Sequence, residues 1–80
     1  MMIGKILKTM RRENNLTQED ISKKAYIGRS TLSDYEREKT DINFENIEKI
    51  AEICNYEVLF VNKKDKNKIL SSKNINRKEI

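Results

Sequence analysis

Residues 16–36 constrain the fold more than any other part of the chain. They read Leu-Thr-Gln-Glu-Asp-Ile-Ser-Lys-Lys-Ala-Tyr-Ile-Gly-Arg-Ser-Thr-Leu-Ser-Asp-Tyr-Glu. Two short amphipathic helical patterns meet here across a turn of about three residues. Ile21 and Ala25 share the inward side of the first, and Leu32 and Tyr35 that of the second. Helices joined so tightly cross one another and share a core. The outward arc of the second helix spans roughly 140° of a helical wheel and carries Arg29, Ser30, Ser33, Asp34 and Arg37. A polar arc is ordinarily a solvated helix face. Its place after a short helix and a tight turn makes it a candidate for reading the DNA major groove.

The flanking segments also read as helix. Ile3, Ile6, Leu7 and Met10 fall in one apolar stripe over residues 3–14. Asn14 and Asn15 end it, since Asn favours turns and tolerates a left-handed backbone. Thr17 and Asp20 have the spacing of a capping box, and the acids at 19 and 20 suit the positive end of a helix dipole. A loop over residues 40–42 leads to Asn43, which caps a fourth helix over about residues 44–54. Phe44, Ile47, Ile50, Ala51 and Cys54 form its inner stripe; Glu45, Glu48, Lys49 and Glu52 face away. Ile53 points off that stripe toward a partner, and Asn55 suits a left-handed cap.

Residues 56–62 change character. Tyr-Glu-Val-Leu-Phe-Val-Asn is rich in β-branched and aromatic residues and reads as a strand. One strand cannot satisfy its own amides and carbonyls. Its partner is either a return segment near residues 68–70 or the same strand in a second copy. A lone hairpin is marginal, so an antiparallel pair across a two-fold axis is the favoured expectation. Ile53, Val58, Leu59, Phe60 and Val61 would then form the dimer contact.

Charge divides the chain. Residues 1–39 hold nine Lys/Arg against six Asp/Glu, residues 40–62 one against five, and residues 63–80 seven against two. The positive charge therefore sits on the candidate reading half and on the tail. There is one cysteine, Cys54, and no histidine. That excludes an intrachain disulfide and the usual zinc sites, and Cys54 reads as a small core hydrophobe in a reducing cytoplasm. No apolar run approaches a membrane span of about 18 residues, and residues 1–10 lack the pattern of a secretory signal. Nothing resembles a nucleophile with its base, a phosphate loop or a metal set, so no enzyme activity, cofactor or metal is expected.

Leu16-Thr17-Gln18-Glu19, Ala25, Ile27, Arg29-Ser30-Thr31-Leu32 and Tyr35-Glu36 match in register. This pattern resembles the lambda repressor and Cro family of helix-turn-helix domains, which includes the xenobiotic-response-element type of regulator. The resemblance covers about residues 3–55. It implies a dimeric operator-binding domain, usually a repressor. It places Thr17 and Gln18 near phosphate, and Arg29, Ser30, Ser33 and Asp34 among the base readers. Thr31, Arg37, Lys39 and Thr40 fall near the DNA backbone. Arg11 and Glu36 match a pair that links the first helix to the third. Arg29 can fork onto guanine O6 and N7. Asp34 either accepts from cytosine N4 or pairs locally with Arg37. Arg11 and Glu36 form either a surface pair of little worth or a partly buried brace.

Three positions depart from the family pattern. Tyr26 stands where Gly is usual, and carries strain if it keeps a positive φ. Gly28 replaces a Ser or Thr and offers no capping hydroxyl. Glu38 replaces a Gly, so the third helix is expected to run on. The expected fold is mainly α, a lambda repressor-like four-helix DNA-binding domain with a C-terminal β-strand. Residues 1–62 would form that domain with its dimerisation strand, and residues 63–80 a basic tail that is either a short return strand or disordered. The expected partners are a double-stranded DNA operator and a second copy. The competing reading is an antitoxin whose strand or tail binds a toxin protein while the helices regulate their own operon.

Overall fold

The capping chemistry of the chain sets its helices. The computed structural model describes residues 3–71. They form α1 (Ile3–Glu13), α2 (Gln18–Ala25), α3 (Arg29–Glu36) and α4 (Phe44–Ile53), then β1 (Leu59–Val61) and β2 (Ile69–Ser71). At the start of α2 the Thr17 hydroxyl accepts from the Asp20 amide at 3.0 Å, and the Asp20 carboxylate accepts from the Thr17 amide at 2.8 Å. The Thr17 amide first, and then its hydroxyl, hold the Asp20 carboxyl below its ordinary pKa. Asn43 caps α4 by accepting from the Asn46 amide at 2.8 Å. Asn15 and Asn55 take left-handed φ values of 56° and 64° and turn the chain after α1 and α4.

Leu7, Met10, Ile21, Ala25, Ile27, Leu32, Tyr35, Ile50, Ala51 and Cys54 make one buried core. α2 packs on α3 and α4, and α1 packs on α3 and α4. Two polar bonds tie elements distant in sequence. The Asn14 side-chain amide donates to the Cys54 carbonyl at 3.0 Å, and that of Asn46 donates to the Tyr35 hydroxyl at 3.0 Å. The second leaves the buried Tyr35 ring without an unmet polar end.

Several expectations need correction. Ile6 is half-exposed, because Gly4 and Arg11 draw the contact arc of α1 to the other flank. Phe44 is exposed rather than part of the inner stripe, and it stacks on Phe60 with ring centroids 6.2 Å apart. Ile53 and Val58 are half-buried, each packing part of its side chain against the core. α3 does not run on. It stops at Glu36, and Glu38 takes φ 59°. Its carboxylate accepts from the Gly4 amide at 2.9 Å, satisfying one of the unpaired donors at the start of α1.

The strand is shorter than residues 56–62, and the return segment supplies its partner. β1 pairs antiparallel with β2 of the same chain, Phe60 opposite Leu70. Local bonds close that hairpin. The Asn62 side-chain oxygen accepts from the Lys64 amide at 2.8 Å and the Asp65 amide at 2.9 Å. The remainder of the basic tail, residues 72–80, lies outside the described residues.

Tyr26 does take a left-handed backbone, φ 56°. Its side chain is 93% exposed, so packing returns nothing for a conformation that costs an L-residue roughly 1–2 kcal/mol. The turn keeps its geometry because Ile27, the next residue, is buried in the core. The Ile27 amide donates to the Ser22 carbonyl at 3.2 Å.

Candidate nucleic-acid interface

The recognition surface follows from how α3 is held. Leu32 and Tyr35 are buried, so the opposite side must face out. Arg29, Ser30 and Thr31 are exposed at its N-terminal end, and Ser33 and Asp34 are half-exposed beside them. Eight residues give a rod of about 12 Å, the width of one major groove. Among the described residues the Arg29 guanidinium has no carboxylate partner, so its fork is free for a base edge or phosphate. Asp34 is engaged by Arg37, whose Nη2 lies 3.2 Å from its carboxylate. Both are well exposed, so the pair is weak and can open toward a base.

Around α3 stand the other residues expected near the DNA backbone. Lys39 and Thr40 lie exposed on the loop after α3, beside Arg37. Thr17 is exposed at the start of α2, but its hydroxyl oxygen already serves the capping box. Gln18 is turned inward, its amide donating to Glu36 at 3.1 Å. Gly28 caps α3 without any side-chain bond, and an added Cβ would meet only the Thr31 hydroxyl at 3.5 Å.

Arg11 and Glu36 fasten α3 to α1. Arg11 Nε donates to one Glu36 oxygen at 2.7 Å and Nη2 to the other at 3.0 Å. The third guanidinium nitrogen, Nη1, donates to the Leu16 carbonyl at 2.8 Å. The side chains are only 11% and 3% exposed. This is a buried, two-pronged pair and not a surface one. Burial pushes the Glu36 carboxyl up. The bonds from Arg11 and Gln18 pull it further down, and the net result is below the ordinary value. The Arg11 guanidinium is stabilised in its charged form chiefly by the bond to Glu36.

Three parts of this arrangement escaped the sequence reading. Gly4 lets α1 approach the end of α3, Glu38 caps α1, and Gln18 joins the Arg11–Glu36 pair. A glycine at the second position of a helix was the only visible signal for the first, and nothing local signals the others.

The helix-turn-helix family model matches residues 7–61, a span from within α1 to the end of β1. Neither a curated protein nor a solved structure matches the chain. The matched span exceeds half of the chain and contains the whole α2–turn–α3 unit. The chain belongs to the helix-turn-helix family of lambda repressor and Cro type, whose members are DNA-binding transcriptional regulators.

Proposed function

We propose that this regulator is a repressor that reads its operator with α3 and binds as a dimer. The observation that carries the reading is the outward arc of α3, with Arg29 at its leading end, unpaired among the described residues, and buried anchors behind it. Arg29 reads guanine; Ser30 and Ser33 adjust to either partner; Asp34 selects cytosine or penalises wrong sites. Thr17, Thr31, Arg37, Lys39 and Thr40 set register on the phosphates, while Gln18, turned inward, steadies Glu36. Arg11 and Glu36 hold the angle of α3. Residues 1–62 form this DNA-binding unit, and repression follows when an occupied operator blocks transcription.

The test begins by selecting bound duplexes from random DNA. Arg29→Ala should then cost roughly 1–3 kcal/mol on the selected site and relax preference at one base pair. Lys39→Ala should weaken all duplexes about evenly and flatten the salt dependence. Unchanged specific affinity in Arg29→Ala would remove α3 as the reader.

A surface feature supports the dimer. Leu59, Val61 and Ile69 share one face of the hairpin, and each leaves about half of its surface exposed. An apolar face of this kind is usually covered by another protein. In this arrangement two hairpins pack face to face and set two α3 helices about one helical turn of DNA apart. Sedimentation should show dimers at micromolar concentration for the wild type and monomers for Val61→Lys. A wild-type monomer at every concentration, or a dimeric Val61→Lys, would defeat it. Recovery of a tight complex with a second, toxic protein through this same face would favour the antitoxin reading.

A further inference from the structure

The turn of the hairpin, residues 62–68, reads Asn-Lys-Lys-Asp-Lys-Asn-Lys. We propose that this turn is a second DNA contact, an arm that grips the phosphate backbone beside the site read by α3. The proposal rests on the DNA-binding reading above.

Its charge is the first observation. Lys63, Lys64, Lys66 and Lys68 face a single acid, Asp65, and all are exposed. Among the described residues none of the four lysines forms an ion pair. A lysine-rich loop is ordinarily only a solvated one. Two further observations separate this one from that default.

The loop is built. Asn62 accepts from the amides of Lys64 and Asp65. The Asp65 carboxylate accepts from the Asn67 amide at 3.1 Å, so the one acid helps to close the loop. Backbone bonds from Asn62 to the Lys68 carbonyl at 3.0 Å and from Lys68 to the Asp65 carbonyl at 2.9 Å complete it. Its backbone is therefore set before binding, and a polyanion meets fixed cations at a lower ordering cost.

The loop is also placed. After α4 the chain turns at Asn55, and Val58 packs on the core. It then runs back until Phe60 stacks on Phe44, the first residue of α4. β2 returns from beyond that point, with Ser71 opposite Leu59. The closed end of the hairpin thus projects past the N-terminal end of α4. That is the end joined to α3 through residues 37–43, where Lys39 and Thr40 stand. In this reading the four lysines extend the phosphate contacts proposed for Lys39 and Thr40. Duplex DNA is the polyanion that offers phosphates to both sets.

The experiment replaces Lys63, Lys64, Lys66 and Lys68 together by glutamine in the full chain. Affinity for a wild-type-selected duplex and for a scrambled duplex is measured by fluorescence anisotropy over a range of salt. The slope of log K against log salt should become shallower by about 0.9 for each phosphate that is no longer neutralised. The arm requires at least two such phosphates. Both duplexes should weaken by a similar factor, leaving their ratio intact, and hydroxyl-radical footprints should lose protection only at backbone positions outside the base pairs read by α3. A quadruple arginine variant keeps the charge and should retain the wild-type slope. A glutamine variant whose slope changes by less than two phosphates' worth overturns the arm, as does an arginine variant that fails to retain the slope. Binding of the loop to poly-glutamate in preference to DNA would assign it to an acidic protein and also overturn it. A wild-type chain without affinity for any duplex would instead sink the DNA-binding reading itself.

Discussion

Glu36→Ala should cost about 3–5 kcal/mol of folding stability, the largest loss expected from any single charge removal in the chain. The reason is not the attraction between Arg11 and Glu36 taken alone. Taking two charges out of water is expensive, and a pair of this kind does little better than apolar residues of the same shape. Removing one partner is a different matter. Arg11 would keep its bond to the Leu16 carbonyl but lose both bonds to carboxylate oxygens, at a site where its side chain is 11% exposed. Gln18 would lose its acceptor as well. Chemical denaturation of Arg11→Met, Glu36→Leu and the double variant measures the coupling. Each single variant should fall far below the wild type, and the double should recover much of the loss. A coupling near zero would strip the pair of its role.

The same pair sets an acid limit. The Glu36 carboxyl sits below its ordinary value in the folded chain. Its contribution is therefore present in full above the unfolded carboxylate value, and is lost as pH falls through the lowered folded value. The wild type should lose stability across that acid window. Glu36→Gln, less stable at neutral pH, should show a flatter limb there. Gel-shift assays should also show weaker operator binding by Glu36→Gln, since α3 is held by this carboxylate at its C-terminal end.

The main legibility of the fold lay in its caps and stripes. Thr17 with Asp20, Asn43, Asn15 and Asn55 each act through bonds or backbone angles that a few neighbouring residues decide. The apolar spacing of Ile21, Ala25, Leu32, Tyr35, Ile50 and Cys54 likewise carries its own geometry. The misreadings cluster where two distant segments meet. Ile6 looked inward because a wheel shows spacing but not which flank a neighbour covers. Glu38 looked like a continuation of α3 because its reward, a bond to the Gly4 amide, lies 34 residues away. The return segment is the less favoured partner for the strand in the sequence because the loop bonds of Asn62 and Asp65, which make a short hairpin closable, are not visible in a hydropathy pattern. At the candidate interface, the outward arc of α3 could be read, but the inward turn of Gln18 could not.

Gly4→Ala should be strongly destabilising, at roughly 1–3 kcal/mol, although alanine is the better helix former. In an exposed helix the same change would add about 1 kcal/mol. Here the sign reverses because of what stands opposite. A Cβ on Gly4 would lie 2.6 Å from the backbone carbonyls of both Tyr35 and Glu36. It would also lie 2.6 Å from the Glu38 side chain. Side-chain ends can swing aside, but the carbonyls belong to the last turn of α3. α1 must therefore lift away from α3. That strains the Arg11–Glu36 bonds about two turns further along the same face and the Glu38 cap on the Gly4 amide. The chain's other glycine supplies the control. Gly28 has a negative φ, and a Cβ there meets only the Thr31 hydroxyl at 3.5 Å. Gly28→Ser should be neutral or stabilising by a few tenths of a kcal/mol, since it adds a capping hydroxyl to α3. Urea unfolding of both variants, with operator binding measured in parallel, separates the two cases. Gly4→Ala should lose stability and DNA affinity together, because the backbone that the methyl group displaces is the end of the reading helix. A Gly4→Ala chain as stable as the wild type would show that α1 does not meet α3 at that carbonyl pair, and the brace built on the same contact would fall with it.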